Sequence, residues 1–236
     1  MIRGYVIHAS HEQHRQQNVN ELLRQLPELR IVPAIYPSLQ KVPFAKVILS
    51  KARNRRGRPF MQGELGVLLS NRRIWREIQH HPNEEDHFLI VESDSHLNEV
   101  ALLRQEFDRL TKDYDLFFWG AWLGHMVLQR STRQQLSGKY VTGVPFLRSV
   151  SGAYGYSLNK KAAIHLLAKT GKLLYPVDEF KRYIDPAYLR VGGVTPELIS
   201  QGPGESMIDA GNKAGRINKA WIKLLTIRNK IIAHFS

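Results

Sequence analysis

The sequence predicts an α/β fold built around a mainly parallel central sheet. Over the first 120 residues, short apolar runs that are typical of buried strands alternate with stretches of helical periodicity. The run at residues 87–91 is followed at once by Glu92-Ser93-Asp94, and ligands of parallel sheets bind beyond the carboxyl ends of the strands. With 236 residues, 43% of them hydrophobic, the chain is long enough to bury a sizeable core.

The first half of the chain supplies this alternation. Leu22, Leu23 and Leu26 give one segment an apolar side, as in an amphipathic helix. Residues 37–62 carry three prolines and a basic run without a clean period, which predicts a long loop. The elements predicted around that loop are strands at residues 5–8, 29–35, 87–91 and 116–119, and helices at about residues 12–25, 63–79 and 99–110.

The second half is less regular. Its patterns predict strands at 139–147, 151–158 and 194–199, a helix at 159–168, a turn or helix opening at 176–179, and a turn at 201–204. Asn159 is the expected N-cap of the helix. Residues 211–236 predict a basic amphipathic helix, with lysines and arginines opposite one apolar face. That face holds Ile217, Ala220, Trp221, Leu224, Leu225, Ile231, Ile232 and Phe235.

The formal net charge of +13 is concentrated in two segments. Residues 41–58 hold seven basic side chains and residues 210–236 hold six, neither with an acid, so together they account for the whole excess. A basic protein raises nucleic acid as a partner. Segments of this kind are equally suited to a phosphorylated lipid or sugar, or to an anionic membrane face.

Several classes of protein are excluded by composition. The chain has no cysteine, which excludes a disulfide scaffold, a thiolate metal site and a catalytic cysteine. No apolar run reaches the roughly 18 residues of a membrane span, and the N-terminal apolar stretch is too short for a signal peptide. The sequence therefore predicts a soluble, cytoplasmic protein.

The acids after residues 87–91 are candidate metal ligands. Glu92 and Asp94, one residue apart at the end of a buried strand, can both face Mg²⁺ or Mn²⁺, whose remaining ligands would be diphosphate oxygens. Transfer from a nucleotide-sugar needs such an ion because its leaving group is a diphosphate. The same residues are also common after strands simply as turn formers and helix caps, so the spacing alone leaves both interpretations open.

Four blocks of the sequence, taken in order, resemble one known family. The first is YVIH at residues 5–8, followed by Arg15 and Ala34, and the second is GELGVLLSNRRIW at 63–75, similar to the pattern G-E-[IL]-G-C-x-x-S-H-x-x-x-W. The third is LIVESDS at 89–95, similar to an E-D-D strand end. The fourth is SGAYGYSL at 151–158 with KKAA at 160–163 and PVD at 176–178. Together they resemble glycosyltransferase family 25, the bacterial lipopolysaccharide and lipooligosaccharide glycosyltransferases, over roughly residues 2–210.

Three positions depart from the family's pattern. Ser93 stands at its middle acid, Asn71 at its histidine and Val67 at its cysteine. The pair Glu92 and Asp94 is kept, so a metal site survives. The departures motivate one alternative, a non-catalytic member of the fold that binds a nucleotide-sugar or glycan. A second alternative is a nucleic-acid-binding module that uses the basic segments.

The resemblance implies a glycosyltransferase A-type fold in a single domain. Residues 1–120 are then a nucleotide-sugar-binding half, residues 121–210 an acceptor half, and residues 211–236 the basic helix. The implied reaction is an inverting transfer of a hexose, most often galactose, from a UDP-sugar to a lipooligosaccharide or another cell-surface glycan. Mn²⁺ or Mg²⁺ is the implied cofactor.

Inversion needs a general base, and Asp178 is the first candidate because it follows Pro176 in a matched block. Glu179 and Glu205 are alternatives, and Asp178 is equally suited to capping a helix. Glu64 is a second candidate for a catalytic, donor-side role, although an acid at a helix start is favourable without any chemistry. The residues that the likeness assigns to the nucleotide-sugar are Ile7, His8, Arg15, Ala34, Ser70, Glu92, Ser93, Asp94, Gly152 and Tyr154, with Glu92 and Asp94 as metal ligands.

The remaining candidates keep two interpretations each. His8, His11 and His14 recur every three residues but straddle a strand end and a helix start, so surface histidines are favoured over a metal site. Trp119 and Trp122 suit either a sugar-stacking wall or the core. The basic helix either packs its apolar face on the domain or docks at the cytoplasmic face of the inner membrane, where lipid-linked acceptors lie.

Overall fold

The computed structural model describes residues 1–51, 60–202 and 219–234. Strands and helices alternate along the first half, as the sequence predicts. In chain order the described elements are β1 (Gly4–His8), α1 (Gln16–Gln25), β2 (Leu29–Pro33), α2 (Ala45–Lys51), α3 (Gln62–Gln79), β3 (Phe88–Glu92), β4 (Ser95–Leu97), α4 (Val100–Thr111), β5 (Leu116–Phe118), β6 (Gln134–Ser137), β7 (Tyr140–Gly143), β8 (Gly155–Leu158), α5 (Lys160–Lys169), β9 (Val191–Thr195), β10 (Ile199–Gln201) and α6 (Lys219–His234).

Eight of these strands form one sheet in the order β2-β1-β3-β8-β5-β9-β7-β6, and β4 pairs with β10 apart from it. Strand β1 is parallel to both β2 and β3, and β5 is parallel to β9. The other neighbours in the large sheet are antiparallel. The α/β class is therefore confirmed, while the sheet is mixed: the parallel pattern predicted from the first half holds for β2-β1-β3, and β6, β7 and β8 of the second half run against their neighbours.

Helices cover both faces of the sheet because successive strand side chains point to opposite sides. On one face, Tyr5 and Ile90 lie in a cluster with Trp75 of α3 and Leu166 of α5. On the other, the cluster contains residues of β1 and β3 together with α1 and α4: Val6, Val19, Leu22, Leu89, Val91, Leu103, Phe107 and Leu110. Each large apolar side chain buried in these layers stabilises the fold by about 1.5–3 kcal/mol.

The structure corrects several element boundaries. The predicted loop at 37–62 contains α2, and the predicted strand at 139–147 is the second half of a β6–β7 hairpin whose turn residue Gly138 has φ +50°. The predicted strand at 194–199 is divided at the cis peptide Thr195–Pro196 between β9 and β10. Strand β8 begins at Gly155, four residues later than predicted.

The start of α5 follows the prediction. Asn159 precedes the helix, and its side-chain oxygen accepts a hydrogen bond from the Ala162 backbone N–H at 3.0 Å. An amide oxygen in this position satisfies one of the backbone donors that a helix start leaves unpaired. The N-cap role of Asn159 is therefore confirmed.

Helix α6 buries a different set of side chains from the predicted one. Ile222, Asn229 and Ala233 are buried, whereas Leu224 and Ile231, which were expected to pack inward, are exposed. The helix packs near the short turn Leu147–Ser149. Ile217 and Phe235 lie outside the described residues, as do Lys213 and Arg216. Within the described chain, no helix combines the length and the low polarity needed to cross a bilayer.

Candidate active site

A pocket opens where the carboxyl ends of β1, β2 and β3 meet. Seven of the residues predicted for the nucleotide-sugar line it: Ile7, Arg15, Ala34, Ser70, Glu92, Ser93 and Asp94. The lining is completed by Glu12, Ile35, Tyr36, Gly63, Val67 and Gln201. The three strands are mutually parallel, so the residues that follow them gather at one edge of the sheet.

The acid pair lies in a turn whose main chain is held by hydrogen bonds. Glu92 is the last residue of β3, and its N–H donates to Ser95 Oγ at 3.0 Å. Ser95 Oγ in turn donates to the Tyr154 carbonyl at 2.6 Å. On the other side of the turn, the Gly202 N–H donates to the Asp94 carbonyl at 2.7 Å. These hydrogen bonds hold the main chain of Glu92 and Asp94 in place.

Arg15 joins the turn after β1 to the turn after β3. Its Nη2 lies 3.2 Å from Asp94 Oδ2, and its Nη1 donates to Ser93 Oγ at 3.1 Å. Nη1 also lies 3.7 Å from Glu12 Oε2. The Arg15 side chain is only 15% exposed, so this cation is a component of the pocket and not a solvated helix residue.

The electrostatic environment of Glu92 and Asp94 favours the binding of a cation. Burial, with the neighbouring Asp94, raises the pKa of Glu92 well above the ordinary glutamate value, and the Arg15 guanidinium opposes this only in part. Asp94 Oδ1 is buried and has no hydrogen-bond partner among the described residues. Both observations describe carboxylate oxygens whose charge the protein does not fully compensate.

The donor set fits a hard divalent ion that completes its shell from the substrate. No group of three or more histidines or acids in the described chain is arranged to hold a metal by itself. Mg²⁺ in phosphate-transfer sites is typically bound by one or two carboxylates plus phosphate oxygens. Glu92 and Asp94, the latter with its unpaired Oδ1, provide that number of ligands.

Of the pocket residues that the sequence did not indicate, Glu12 and Tyr36 interact with each other. Glu12 is 3% exposed, and Tyr36 Oη donates to Glu12 Oε1 at 2.6 Å. Burial and Glu12 raise the pKa of Tyr36, so this phenol remains a proton donor. The available signals were positional: Glu12 lies three residues before Arg15, and Tyr36 lies three residues beyond β2.

The comparison with family models identifies the chain. The model described as glycosyltransferase family 25 (LPS biosynthesis protein) matches residues 1–181. The chain belongs to glycosyltransferase family 25. No curated protein matches it. The matched region includes β1, β3 and Asp178, so the candidate base and every pocket residue except Gln201 lie within the family's part of the chain.

The family 25 block at residues 63–75 contacts the segment after β2 that lines the pocket. Ser70 Oγ accepts a hydrogen bond from the Ile35 N–H at 2.8 Å and donates to the Gly66 carbonyl at 2.8 Å. A Cβ on Gly66 would lie 2.2 Å from the Ile35 carbonyl oxygen, so only glycine permits this approach. Ser70 therefore anchors the segment after β2, which lines the pocket.

Asn71, at the position of the family's histidine, lies in the core. It is fully buried, and Tyr156 Oη donates to its Oδ1 while its Nδ2 donates to the Val67 carbonyl at 2.9 Å. Trp75 Nε1 donates to the same Tyr156 hydroxyl at 2.9 Å. Asn71 therefore links α3 to β8 in the core and does not line the pocket.

Three residues assigned to the nucleotide-sugar do not line the pocket. His8 is 5% exposed, with Nε2 3.3 Å from Gln16 Oε1, and it does not form a cluster with His11 or His14. Gly152, with φ +90°, lies under the Tyr154 ring, where a Cβ would come within 2.7 Å.

Tyr154 instead supports the loop that follows β5. Its hydroxyl donates to Glu197 Oε2 at 2.8 Å and accepts from the Leu123 N–H at 2.9 Å. Trp122 and Leu123 both have positive φ, which is costly for residues with a Cβ and persists only where the surroundings enforce it. Trp119 is fully buried, so of the two tryptophans only Trp122 is partly accessible.

Asp178 does not line the pocket, but of the candidate bases it is the one with a raised pKa and an unpartnered buried oxygen among the described residues. Burial, with Glu64 and Glu179, raises its pKa to about 6, and its Oδ1 is buried without a hydrogen-bond partner among the described residues. Its charge also contributes to the raised pKa of Glu92. The Glu179 carboxylate is paired with Arg182. The third candidate, Glu205, lies outside the described residues.

Glu64 has a structural role at the start of α3. Its Oε2 accepts a hydrogen bond from the Met61 N–H at 2.9 Å, so it stabilises the first turn of the helix. The neighbouring Gly63 lines the pocket. Glu64 therefore lies beside both the pocket and Asp178, where its charge helps to raise the Asp178 pKa.

Proposed function

We propose that this family 25 chain is a metal-dependent, inverting hexosyltransferase that uses a UDP-sugar. One observation carries the proposal: the acid pair Glu92 and Asp94, with Arg15 beside it, lies in a pocket at the carboxyl ends of parallel strands. This is the expected location of a nucleotide in an α/β sheet. The family match supplies the reaction class, sugar transfer in lipopolysaccharide biosynthesis.

The two sides of the pocket suit the two ends of a nucleotide diphosphate. Ile7, Ala34 and Val67 provide apolar surface for the nucleoside, and the Tyr36 hydroxyl and Glu12 provide polar groups beside it. Arg15 and Ser93 lie at the acidic end. A guanidinium binds phosphate oxygens with charge-assisted hydrogen bonds, so Arg15 is the residue we assign to the diphosphate.

Glu92 and Asp94 would hold Mn²⁺ or Mg²⁺ against that diphosphate. When bound, the ion neutralises the negative charge that develops on the departing diphosphate. The contribution of the chain is to hold the main chain of both residues in place through Ser95 and Gly202.

Asp178 is the proposed general base. A carboxyl with a pKa of about 6 is mostly ionised at neutral pH, and it accepts a proton more readily than an ordinary aspartate. Its unpaired Oδ1 would accept the proton of the acceptor hydroxyl as that oxygen attacks the anomeric carbon from the face opposite the diphosphate. The configuration at that carbon is then inverted.

The transferred sugar and the acceptor rest on the family likeness. Galactose is the proposed hexose, and a lipooligosaccharide or related cell-surface glycan is the proposed acceptor. The loop that carries Trp122, supported by Tyr154, lies in the proposed acceptor half and offers an aromatic face to a sugar.

The direct test is turnover of UDP-galactose. Purified protein with Mn²⁺ should release UDP, and Asp94→Ala should abolish the release, whereas Asp113→Ala, at an exposed position after α4, should not. If the protein turned over no UDP-sugar, the proposed enzymatic function would be contradicted. Nucleotide-sugar binding without turnover would instead support the non-catalytic member of the fold that the departures at Ser93 and Asn71 suggest.

A further inference from the structure

Helix α6 exposes an apolar stripe to solvent. Leu224 is 67% exposed, Ile227 56% and Ile231 57%. An α-helix advances about 100° per residue, so positions separated by three, four and seven residues fall on the same side. The three side chains therefore form a continuous apolar stripe along the helix, which we call the α6 stripe.

The opposite side of the helix is the one that packs on the domain. Ile222, Asn229 and Ala233 are buried, and they lie on the side of α6 away from the α6 stripe. This side accounts for the attachment of the helix near the turn Leu147–Ser149. The α6 stripe is thus not part of the contact that holds the helix on the protein.

Cations border the α6 stripe on both sides. By the same helical geometry, Arg228 follows one edge of the stripe, and Lys223 and Lys230 follow the other; all three are exposed. The sequence from 210 to 236 contains no acid. Long basic side chains beside an apolar stripe can place their charges at lipid phosphates while the stripe enters the acyl boundary.

We propose that the α6 stripe and its three cations bind the surface of an anionic phospholipid bilayer. The helix lies in the plane of the interface, with Leu224, Ile227 and Ile231 inserted at the headgroup level. Charge complementarity selects this occupant, because a neutral partner surface would leave Lys223, Arg228 and Lys230 without counter-charges. The proposal depends on α6 alone and not on the chemistry of the pocket.

The position of α6 relates this surface to the proposed reaction. The turn Leu147–Ser149 beside α6 also packs against the turn Phe180–Arg182, which begins two residues after Asp178. A bilayer bound at α6 would therefore lie on the side of the protein that carries the candidate base, the side at which a lipid-linked acceptor must approach.

Vesicle co-sedimentation tests the proposal with the full chain. We expect binding to phosphatidylglycerol–phosphatidylethanolamine vesicles, weakening as NaCl is added, and little binding to phosphatidylcholine vesicles. Arg228→Gln with Lys230→Gln should lower the partition coefficient by roughly fivefold for each cation removed. Leu224→Ser with Ile231→Ser should lower it as well, since apolar burial is lost.

Helix α5 provides matched controls. Ile164→Ser and Lys169→Gln change an exposed apolar residue and an exposed cation on a different helix from the α6 stripe, and both variants should bind vesicles as the unchanged protein does. Equal melting temperatures would show that every variant is folded. The proposal is overturned if the protein does not bind anionic vesicles, or if the α6 variants bind them as strongly as the unchanged protein does. It is also overturned if the unchanged protein binds a DNA or RNA oligonucleotide but no vesicles, and the α6 variants lose that binding.

Discussion

Arg15 Nη2 lies 3.2 Å from Asp94 Oδ2 and links two turns that are far apart in sequence. The contact brings a cation to the acid pair, in the pocket that we propose accepts a diphosphate. In the proposed complex, the carboxylate of Asp94 faces the metal ion and the guanidinium faces phosphate oxygens. Arg15 is therefore suited to both the free and the bound pocket.

Removing the Arg15 charge should weaken UDP binding. Because hydrogen bonds to charged groups contribute about 1.5–3 kcal/mol, Arg15→Gln should weaken UDP binding about 10- to 100-fold in isothermal titration calorimetry. Arg24→Gln is the matched control, since Arg24 lies exposed on α1 and pairs with Glu21. Equal affinities in the Arg15 and Arg24 variants would remove Arg15 from the diphosphate site.

The Asp178 carboxyl should set the acidic limb of the rate profile. Burial and neighbouring acids raise its pKa to about 6, so kcat/KM should rise with pH through about 6 and level off above it. Asp178→Asn should lose most of the activity over the whole range.

The same pKa has a consequence for stability. The folded pKa exceeds the unfolded value of about 3.9, so between these values the unfolded chain loses its proton first and stability falls as pH rises. Asp178→Asn should therefore melt at a higher temperature than the unchanged protein at pH 7. A lower melting temperature, or a rate profile without a limb near pH 6, would contradict the assignment.

The buried hydroxyl of Tyr156 should be important for stability. It accepts a hydrogen bond from Trp75 Nε1–H and donates one to Asn71 Oδ1. Tyr156→Phe therefore leaves the Trp75 N–H and Asn71 Oδ1 buried without these partners. We expect a loss of about 2–4 kcal/mol in the free energy of unfolding, measured with urea. Tyr188→Phe, at a half-exposed position, should cost less than about 0.5 kcal/mol. Similar losses of stability in both variants would show that the hydrogen bonds of the Tyr156 hydroxyl make no special contribution to the free energy of unfolding.

Asp115 should account for part of the acid sensitivity of the fold. Burial alone would raise its pKa, but hydrogen bonds from Arg190, Lys161 and Asn159 hold it well below the ordinary value. A depressed folded pKa gives stability that is present above the unfolded value of about 3.9 and is lost as pH falls through the folded value.

The corresponding variant tests this. Asp115→Asn should lower the urea midpoint at neutral pH and flatten its decline below about pH 4. Asp113→Asn, at an exposed position two residues earlier, should keep the decline of the unchanged protein. An undiminished decline in the Asp115 variant would assign the acid sensitivity to other groups.

The part of the candidate site that directly follows a strongly apolar strand could be predicted from the sequence. Residues 88–91 form a continuous apolar run, so the sequence alone indicates β3 and the position of Glu92 and Asp94 at its carboxyl end. Glu12 and Tyr36 could not be predicted, because nothing in their local sequence shows that parallel pairing of β1 with β2 brings the segments after them together.

The second half of the fold was harder to predict for the same physical reason. Strands β6 and β7 are short and join at Gly138, so their pairing depends on tertiary contacts more than on a local pattern. In α6, apolar residues occur on more than one side of the helix. Periodicity alone did not identify Ile222 and Ala233 as the buried positions, because the domain surface selects them.

A thermal-shift measurement with UDP-galactose, with and without Mn²⁺, tests the central claim most directly. At a donor concentration about a hundredfold above Kd, the unchanged protein should melt several degrees higher, and only when Mn²⁺ is present. Asp94→Asn should lose the metal-dependent part of the shift. A shift of equal size without metal, or one retained in Asp94→Asn, would contradict the assignment of Glu92 and Asp94 to a metal-bound diphosphate.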